Sequence, residues 1–162
     1  MFVVNLKKCK QIFDKVYVST DSPKIAIIAR RYKAEIILRG PKLCGDTPNI
    51  PVYRHALKKI GNCRAIIAVQ ANSPTIKPAT IEIVKSLMEN NYQEVMTCDK
   101  DLNIYGSVWA LTPKRLKKYG NPFKPKPEVL IQDPSIDIHT LENYQDALMY
   151  NDKNDTRRKR KK

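Results

Sequence analysis

The stretches VYVSTD (residues 16–21) and AIIAVQANSP (residues 65–74) decide the fold of this chain. Each is an apolar, β-branched run that stops abruptly in small polar residues. The run reads as a strand, and the polar residues read as the loop that follows it. In an open parallel sheet, ligands bind in the crevice beyond the carboxyl ends of the strands. The two polar clusters therefore mark candidate site loops, about fifty residues apart, with helical patterns between them. Ser22 has a second reading, as the cap of the next helix.

Strand and helix patterns alternate outward from these stretches. Phe2, Leu6, Cys9 and Phe13 share one helical face. Ser22-Pro23 reads as an N-cap followed by Pro at the first helical position, with Ile25, Ile28, Ala29 and Tyr32 facing inward. Ala34–Leu38 is a second strand. Arg39–Pro51, with Gly40, Pro41, Gly45, Pro48 and Pro51, is too long for an ordinary connection and is a candidate binding loop. Helical patterns cover Val52–Ile60 and Pro78–Glu89. Glu94–Cys98 and Tyr105–Leu111 read as strands. A short helix follows Thr112, and a last helix follows Thr140 with Leu141, Tyr144 and Leu148 on its apolar face. The expected class is α/β with a mainly parallel sheet. Residues 1–150 form one domain, and residues 151–162 read as a basic, disordered tail.

The formal net charge is +14, of which the last twelve residues contribute +5. A basic body suits anionic ligands. Cys9, Cys44, Cys63 and Cys98 form no C-x-x-C pair and no zinc-spaced cluster. They read as free thiols in a reducing compartment, which points to the cytoplasm. No apolar run is long enough for a membrane span, so no membrane partner is expected.

Four segments in order, FDKVYVSTDSPKIAIIARRYKAEIILRG (13–40), GDTPN (45–49), AVQANSP (68–74) and IDIHTLENYQDA (136–147), resemble a known enzyme family. It is the cytidylyltransferases that activate acidic sugars, the CMP-sialic acid synthetases (N-acylneuraminate cytidylyltransferases) above all. Those enzymes carry V-S-T-D, L-R-P, a D-[ST] loop, Q-x-[ST]-S-P and D-I-D-T-x-x-D in this order. The resemblance implies a Rossmann-like, three-layer nucleotidyltransferase fold. It implies transfer of CMP from CTP to a sugar acid with release of pyrophosphate, and a divalent cation, Mg²⁺ or Mn²⁺, as cofactor. Arg39 matches the anion-contacting Arg of L-R-P; its other reading is a surface pair with Asp21 or Asp46. Thr47 and Asn49 fall in the D-[ST] loop. Gln70 matches the substrate-contacting Gln, and Asn72 and Ser73 the loop lining the sugar site. Asp137 and His139 stand at the metal-binding D-x-D. No catalytic residue is assigned.

The chain departs from the family in three places. It starts inside what would be the helix after the family's first strand and Gly-rich phosphate loop, so that strand is expected to be missing. Its glycines, at 40, 45, 61, 106 and 120, form no such loop. His139 replaces a carboxylate, which implies weak metal binding with Mn²⁺ ahead of Mg²⁺. The short stretch between Cys98 and Tyr105 leaves no room for the family's dimer arm and puts dimerisation in doubt. From these departures follows an expectation of no CMP transfer by this chain alone, with the missing segment supplied in cis or in trans. Without the first strand, the strands at 16–19 and 65–70 must either pair directly or leave an open slot. The alternative function is a non-catalytic remnant holding an anionic partner such as nucleic acid through Arg157–Lys162. No RNA-binding motif with interleaved aromatics accompanies that run, so nucleic acid is the weaker expectation.

Overall fold

A computed structural model describes residues 1–159, with side chains through residue 150. Helix α1 (Phe2–Ile12) leads into strand β1 (Tyr17–Thr20), helix α2 (Pro23–Arg31) and strand β2 (Glu35–Leu38). A 3-10 turn at Pro41–Leu43 precedes α3 (Asn49–Ile60), β3 (Ile66–Val69) and α4 (Pro78–Glu89). Then come β4 (Glu94–Cys98), β5 (Ile104–Leu111), α5 (Pro113–Lys117), β6 (Val129–Gln132) and α6 (Leu141–Lys159). The Ser22 hydroxyl accepts from the Ile25 amide at 3.4 Å and Thr112 accepts from Arg115, so Ser22 and Thr112 cap their helices.

The strands form two sheets. β1 and β2 pair parallel, across the α2 crossover. The other four run in the order β3-β5-β4-β6. β5 is antiparallel to β3 and to β4, while β6 is parallel to β4. The sheet is thus less parallel than the sequence suggests, because β4 and β5 are joined by a tight turn. Asp99 closes that turn by accepting from the amides of Asp101 and Asn103. Among the described residues β1 and β3 do not pair. Direct pairing of these two strands, one of the two expected outcomes, is not observed.

β5 shows why the large sheet is a middle layer. Val108 and Ala110 pack with Ile81, Val84 and Met88 of α4 and with Cys9 of α1. Trp109 and Leu111 pack with Ile50, Tyr53 and Leu57 of α3 and with Leu116 of α5. Side chains alternate along a strand, so adjacent residues serve opposite helical layers. Each such fully buried aliphatic side chain contributes about 1.5–3 kcal/mol.

Three expectations are corrected here. α2 buries Ala26 and Ala29, whereas Ile28 and Tyr32 stay exposed along with Ile27. It covers only the two-stranded sheet, which is too narrow to shelter the full apolar stripe. In α6 the buried side chain is Ala147, and Leu141, Tyr144 and Leu148 are exposed. No element is read from the sequence at 129–132, where a strand forms with Val129 and Ile131 alternating inward at the sheet's edge. The backbone of α6 carries past Tyr150, where the domain was expected to end; residues 160–162 lie outside the described residues.

One buried ion pair fastens β4 to the α5 segment. Glu94 is fully buried and accepts from Trp109 Nε1 at 3.0 Å, Tyr119 OH at 2.7 Å and Arg115 Nε at 2.8 Å. Arg115 also stacks over the Tyr119 ring, 4.8 Å from its centroid. Removing one partner of such a pair strands a charge in the interior. Arg115→Met should therefore lower stability by about 3 kcal/mol, at the low end for buried pairs because Arg115 is one-third exposed. Urea denaturation measures it, and a loss below about 0.5 kcal/mol, the range of ordinary surface changes, would show that the pair is energetically idle.

Candidate active site

A cavity of about 310 Å³ opens beyond the end of β3. Asn49, Gln70, Asn72, Asp137 and His139 all line it, five of the eight candidate site residues. Asn49 is the first residue of α3, where the helix's positive end favours an anionic group. Gln70 Nε2 donates to Tyr53 OH at 2.9 Å, leaving its Oε1 without a partner among the described residues. Burial pushes the Tyr53 phenol well above its ordinary range, so it stays a neutral hydroxyl. Asn72 Nδ2 donates to Asp137 Oδ1 at 2.6 Å, and the Asn72 carbonyl accepts from the Ile138 amide at 2.9 Å. These bonds bring the 136–139 segment against the loop after β3. His139 Nε2 lies 2.9 Å from Asp137 Oδ2.

The loop carrying Gln70 and Asn72 is held from below by α1. Asn5 Nδ2 donates to the carbonyls of Gln70 and Ser73, at 2.8 and 3.1 Å. Lys8 Nζ donates to the carbonyls of Pro74 and Ile76, at 2.6 and 2.8 Å. Asn5 is buried despite its polarity, and these bonds satisfy it.

Three candidates lie outside the cavity lining. Arg39 Nη2 bonds Asp21 Oδ1 at 2.8 Å, the surface pairing that was its other reading. Thr47 Oγ1 donates to the Cys44 carbonyl at 2.8 Å. Ser73 is buried, and its hydroxyl has no partner.

Other residues of the site were not legible in the sequence. Tyr105, Gly106 and Trp109 of β5 line the cavity, as do Pro122 and Pro125. Gly106 takes the left-handed conformation, φ +67°, beside a register shift between β4 and β5. Behind them Asp133 is buried at the end of β6. Its carboxylate accepts from Thr80 and Tyr105 at 3.0 Å, and from Ser107 and the Ser135 amide at 3.3 Å. Asp133 thereby ties α4, β5 and the 133–139 segment into one network. Burial raises the Tyr105 phenol, keeping it a donor. An Asp followed by Pro reads in a sequence as a turn, which hides this role.

The donor set fits a divalent cation only in part. Asp137 and His139 are mutually bonded, and the described residues hold no group of three or more His, Cys, Asp or Glu suited to a metal. An ion here would draw most of its shell from water or substrate oxygens. The cavity lining includes no Lys and no Arg, although the chain carries 30 such residues.

A family model for cytidylyltransferases matches residues 1–120. The chain belongs to the cytidylyltransferase family. Solved structures resemble it in fold. A Mycobacterium tuberculosis protein in complex with manganese gives a TM-score of 0.68 at 13% identity, covering 91% of this chain and 86% of that one. A CMP:2-keto-3-deoxy-manno-octonic acid synthetase complexed with CTP gives 0.67 at 12% identity, covering 93% and 88%. A 4-diphosphocytidyl-2C-methyl-D-erythritol synthase from Anaerococcus prevotii gives 0.63 at 14% identity, covering 92% and 84%. These neighbours place the fold among the Rossmann-type nucleotidyltransferases. The family assignment stands at cytidylyltransferase, coarser than the sialic acid branch that the motifs resemble. No helix among the described residues is long and apolar enough to cross a membrane.

The Arg39–Asp21 pair yields a test of what lies outside the site. The Arg39 guanidinium holds the Asp21 carboxyl below its usual range, so its stabilising effect is present above the unfolded value and lost as pH falls through the folded one. Arg39→Met should raise the Asp21 midpoint toward the ordinary aspartate range in an NMR titration. The fluorescence of Trp109, which lines the cavity, should not change. A changed Trp109 spectrum would place Arg39 in contact with the site.

Proposed function

We propose that this chain carries the sugar-acceptor part of a cytidylyltransferase site, for transfer of CMP from CTP to an acidic sugar with release of pyrophosphate. One observation supports it above the rest: Asn49, Gln70, Asn72, Asp137 and His139 converge on one cavity from three separate segments. The acidic-sugar class rests on the resemblance of the segments around Gln70 and Asp137 to the acylneuraminate enzymes. The cavity's size favours a sugar over a whole nucleotide, since 310 Å³ lies at the small end of ligand pockets.

The lining suggests a division of labour. Gln70 Oε1 and the Asn49 carboxamide offer hydrogen bonds to sugar hydroxyls. The ring of Trp109 and the side chains of Met96 and Ile104 give apolar surface for a sugar face. The positive end of α3 at Asn49 would favour the sugar carboxylate. A divalent cation, when bound at Asp137 and His139, would supply charge neutralisation for the phosphates. Phosphoryl transfer depends on positioning and on offsetting negative charge. A cavity without Lys or Arg offsets little of a triphosphate's charge. CMP transfer by the 162-residue chain alone is therefore not expected.

The tryptophan is the chain's only one, so its emission reports on the cavity directly. Titration with a panel of sugar acids should give a saturable change for at least one. Gln70→Ala should weaken that binding about tenfold, the value of one hydrogen bond of ~1.4 kcal/mol. Absence of any response up to millimolar ligand would refute the acceptor-site reading. A pyrophosphate-release assay with CTP and the same panel tests the second half. Sustained turnover by this chain alone would show a phosphate site built from residues other than these.

A further inference from the structure

A second cavity, of about 590 Å³, lies at the other end of β3 from the candidate active site. Arg54, Leu57 and Lys58 of α3 line it, with Cys63 from the loop into β3 and Pro113 and Lys117 of α5. Gln70 and Asn72 follow β3, whereas Cys63 precedes it. The pairing of Ile66 with Leu111 brings the start of α5 beside the entry to β3.

Charge distinguishes the two cavities. The active-site lining holds no Lys and no Arg, and this one holds Arg54, Lys58 and Lys117 with no Asp or Glu. The sequence explains the difference. No acidic residue occurs between Asp46 and Glu82, or between Asp101 and Glu128, and these two segments supply the whole lining. Glu94, buried beside α5, is engaged by Arg115, Trp109 and Tyr119. Lys58 and Lys117 have no hydrogen-bond or ion-pair partner among the described residues.

Arg54 frames the cavity. Its Nε donates to the Leu116 carbonyl at 3.0 Å, and its Nη2 to the carbonyls of Lys117 and Tyr119 at 3.2 and 2.9 Å. Carbonyls at the end of a helix lack helical partners, and the guanidinium supplies them here. It thereby ties α5, with Lys117, to α3, where Lys58 lies one turn beyond Arg54. Leu57 belongs to the buried core and Cys63 packs against the same cluster, so the floor is apolar. Burial pushes the Cys63 thiol up, so it adds no negative charge at neutral pH.

We propose that this cavity binds a small organic phosphate, with Lys58 and Lys117 taking the phosphate and Leu57, Cys63 and Pro113 taking the apolar part. Its volume lies within the range of small-molecule sites, roughly 300–1,000 Å³, and exceeds what an inorganic anion fills. Two unpaired ammonium groups in a setting without carboxylates attract a phosphate dianion more than a singly charged anion. The site is separate from the acceptor cavity and does not rest on that reading.

An NMR titration of the full 162-residue chain at constant ionic strength tests it. The probes are AMP and glucose 6-phosphate, a nucleotide and a sugar phosphate. Adenosine, glucose and inorganic phosphate are the controls. At least one probe should shift the amides of Gly61, Asn62 and Cys63 saturably, and the tighter of the two identifies the source of the phosphate. The same probe should slow alkylation of Cys63 by iodoacetamide, read by peptide mass spectrometry, and leave Cys44 unaffected. Lys58→Gln combined with Lys117→Gln should weaken binding about tenfold. Both lysines are exposed, so the urea midpoint should not move. Unshifted amides at residues 61–63 up to millimolar probe would overturn the proposal, as would shifts confined to Gln70 and Asn72. An uncharged parent compound, or inorganic phosphate, binding as tightly as the organic phosphate would overturn it too. So would an unchanged affinity in the double variant.

Discussion

Asn5 and Lys8 sit one turn apart on α1 and together take four carbonyls from the segment between Gln70 and Ile76. That clamp fixes three things at once. It orients the loop that carries Gln70 and Asn72 into the cavity. It docks α1 on the large sheet, and α1 carries the small sheet on its other flank through Leu6. It also fixes where the polypeptide beyond β3 goes, so that Asn72 meets Asp137 and Ile138. Hydrogen bonds to a charged donor are stronger than neutral ones, and two from one ammonium to the carbonyls of Pro74 and Ile76 fix geometry as well as energy. Without this clamp the loop after β3 would be an ordinary exposed turn.

The elements legible in the sequence are those whose local pattern and tertiary setting agree. Ile66–Val69 is a β-branched run and is a strand; Ser22 before Pro23 is a cap and caps. Where the setting departs from the pattern, the sequence misleads. Ile28 and Tyr32 have helical spacing in α2, but two strands do not offer enough surface to cover them. Leu141, Tyr144 and Leu148 have the same spacing in α6, yet Ala147 is the residue that packs. β6 is four residues between Pro127 and Pro134, too short for its alternation to stand out. Asp133 is invisible for a different reason. Its importance lies in bonds to Thr80, Tyr105 and Ser107, between 26 and 53 residues away, which no local pattern encodes.

The same contrast holds in the site. Motif order places Asn49, Gln70, Asn72, Asp137 and His139 around one cavity, because each stands at or just beyond the end of an element facing it. Arg39 also stands beyond a strand end, that of β2, but β2 belongs to the other sheet. Its guanidinium turns to Asp21 across the small sheet instead. A rule that ligands gather at strand ends serves one continuous sheet. Here the sheet is interrupted, and the rule holds only on one side of the interruption.

Gln70 follows β3 directly and lines the cavity. The cavity offers neutral hydrogen-bonding groups, one imidazole and aromatic surface, a set suited to a sugar. Cations for phosphates are missing from its lining in a chain otherwise rich in them.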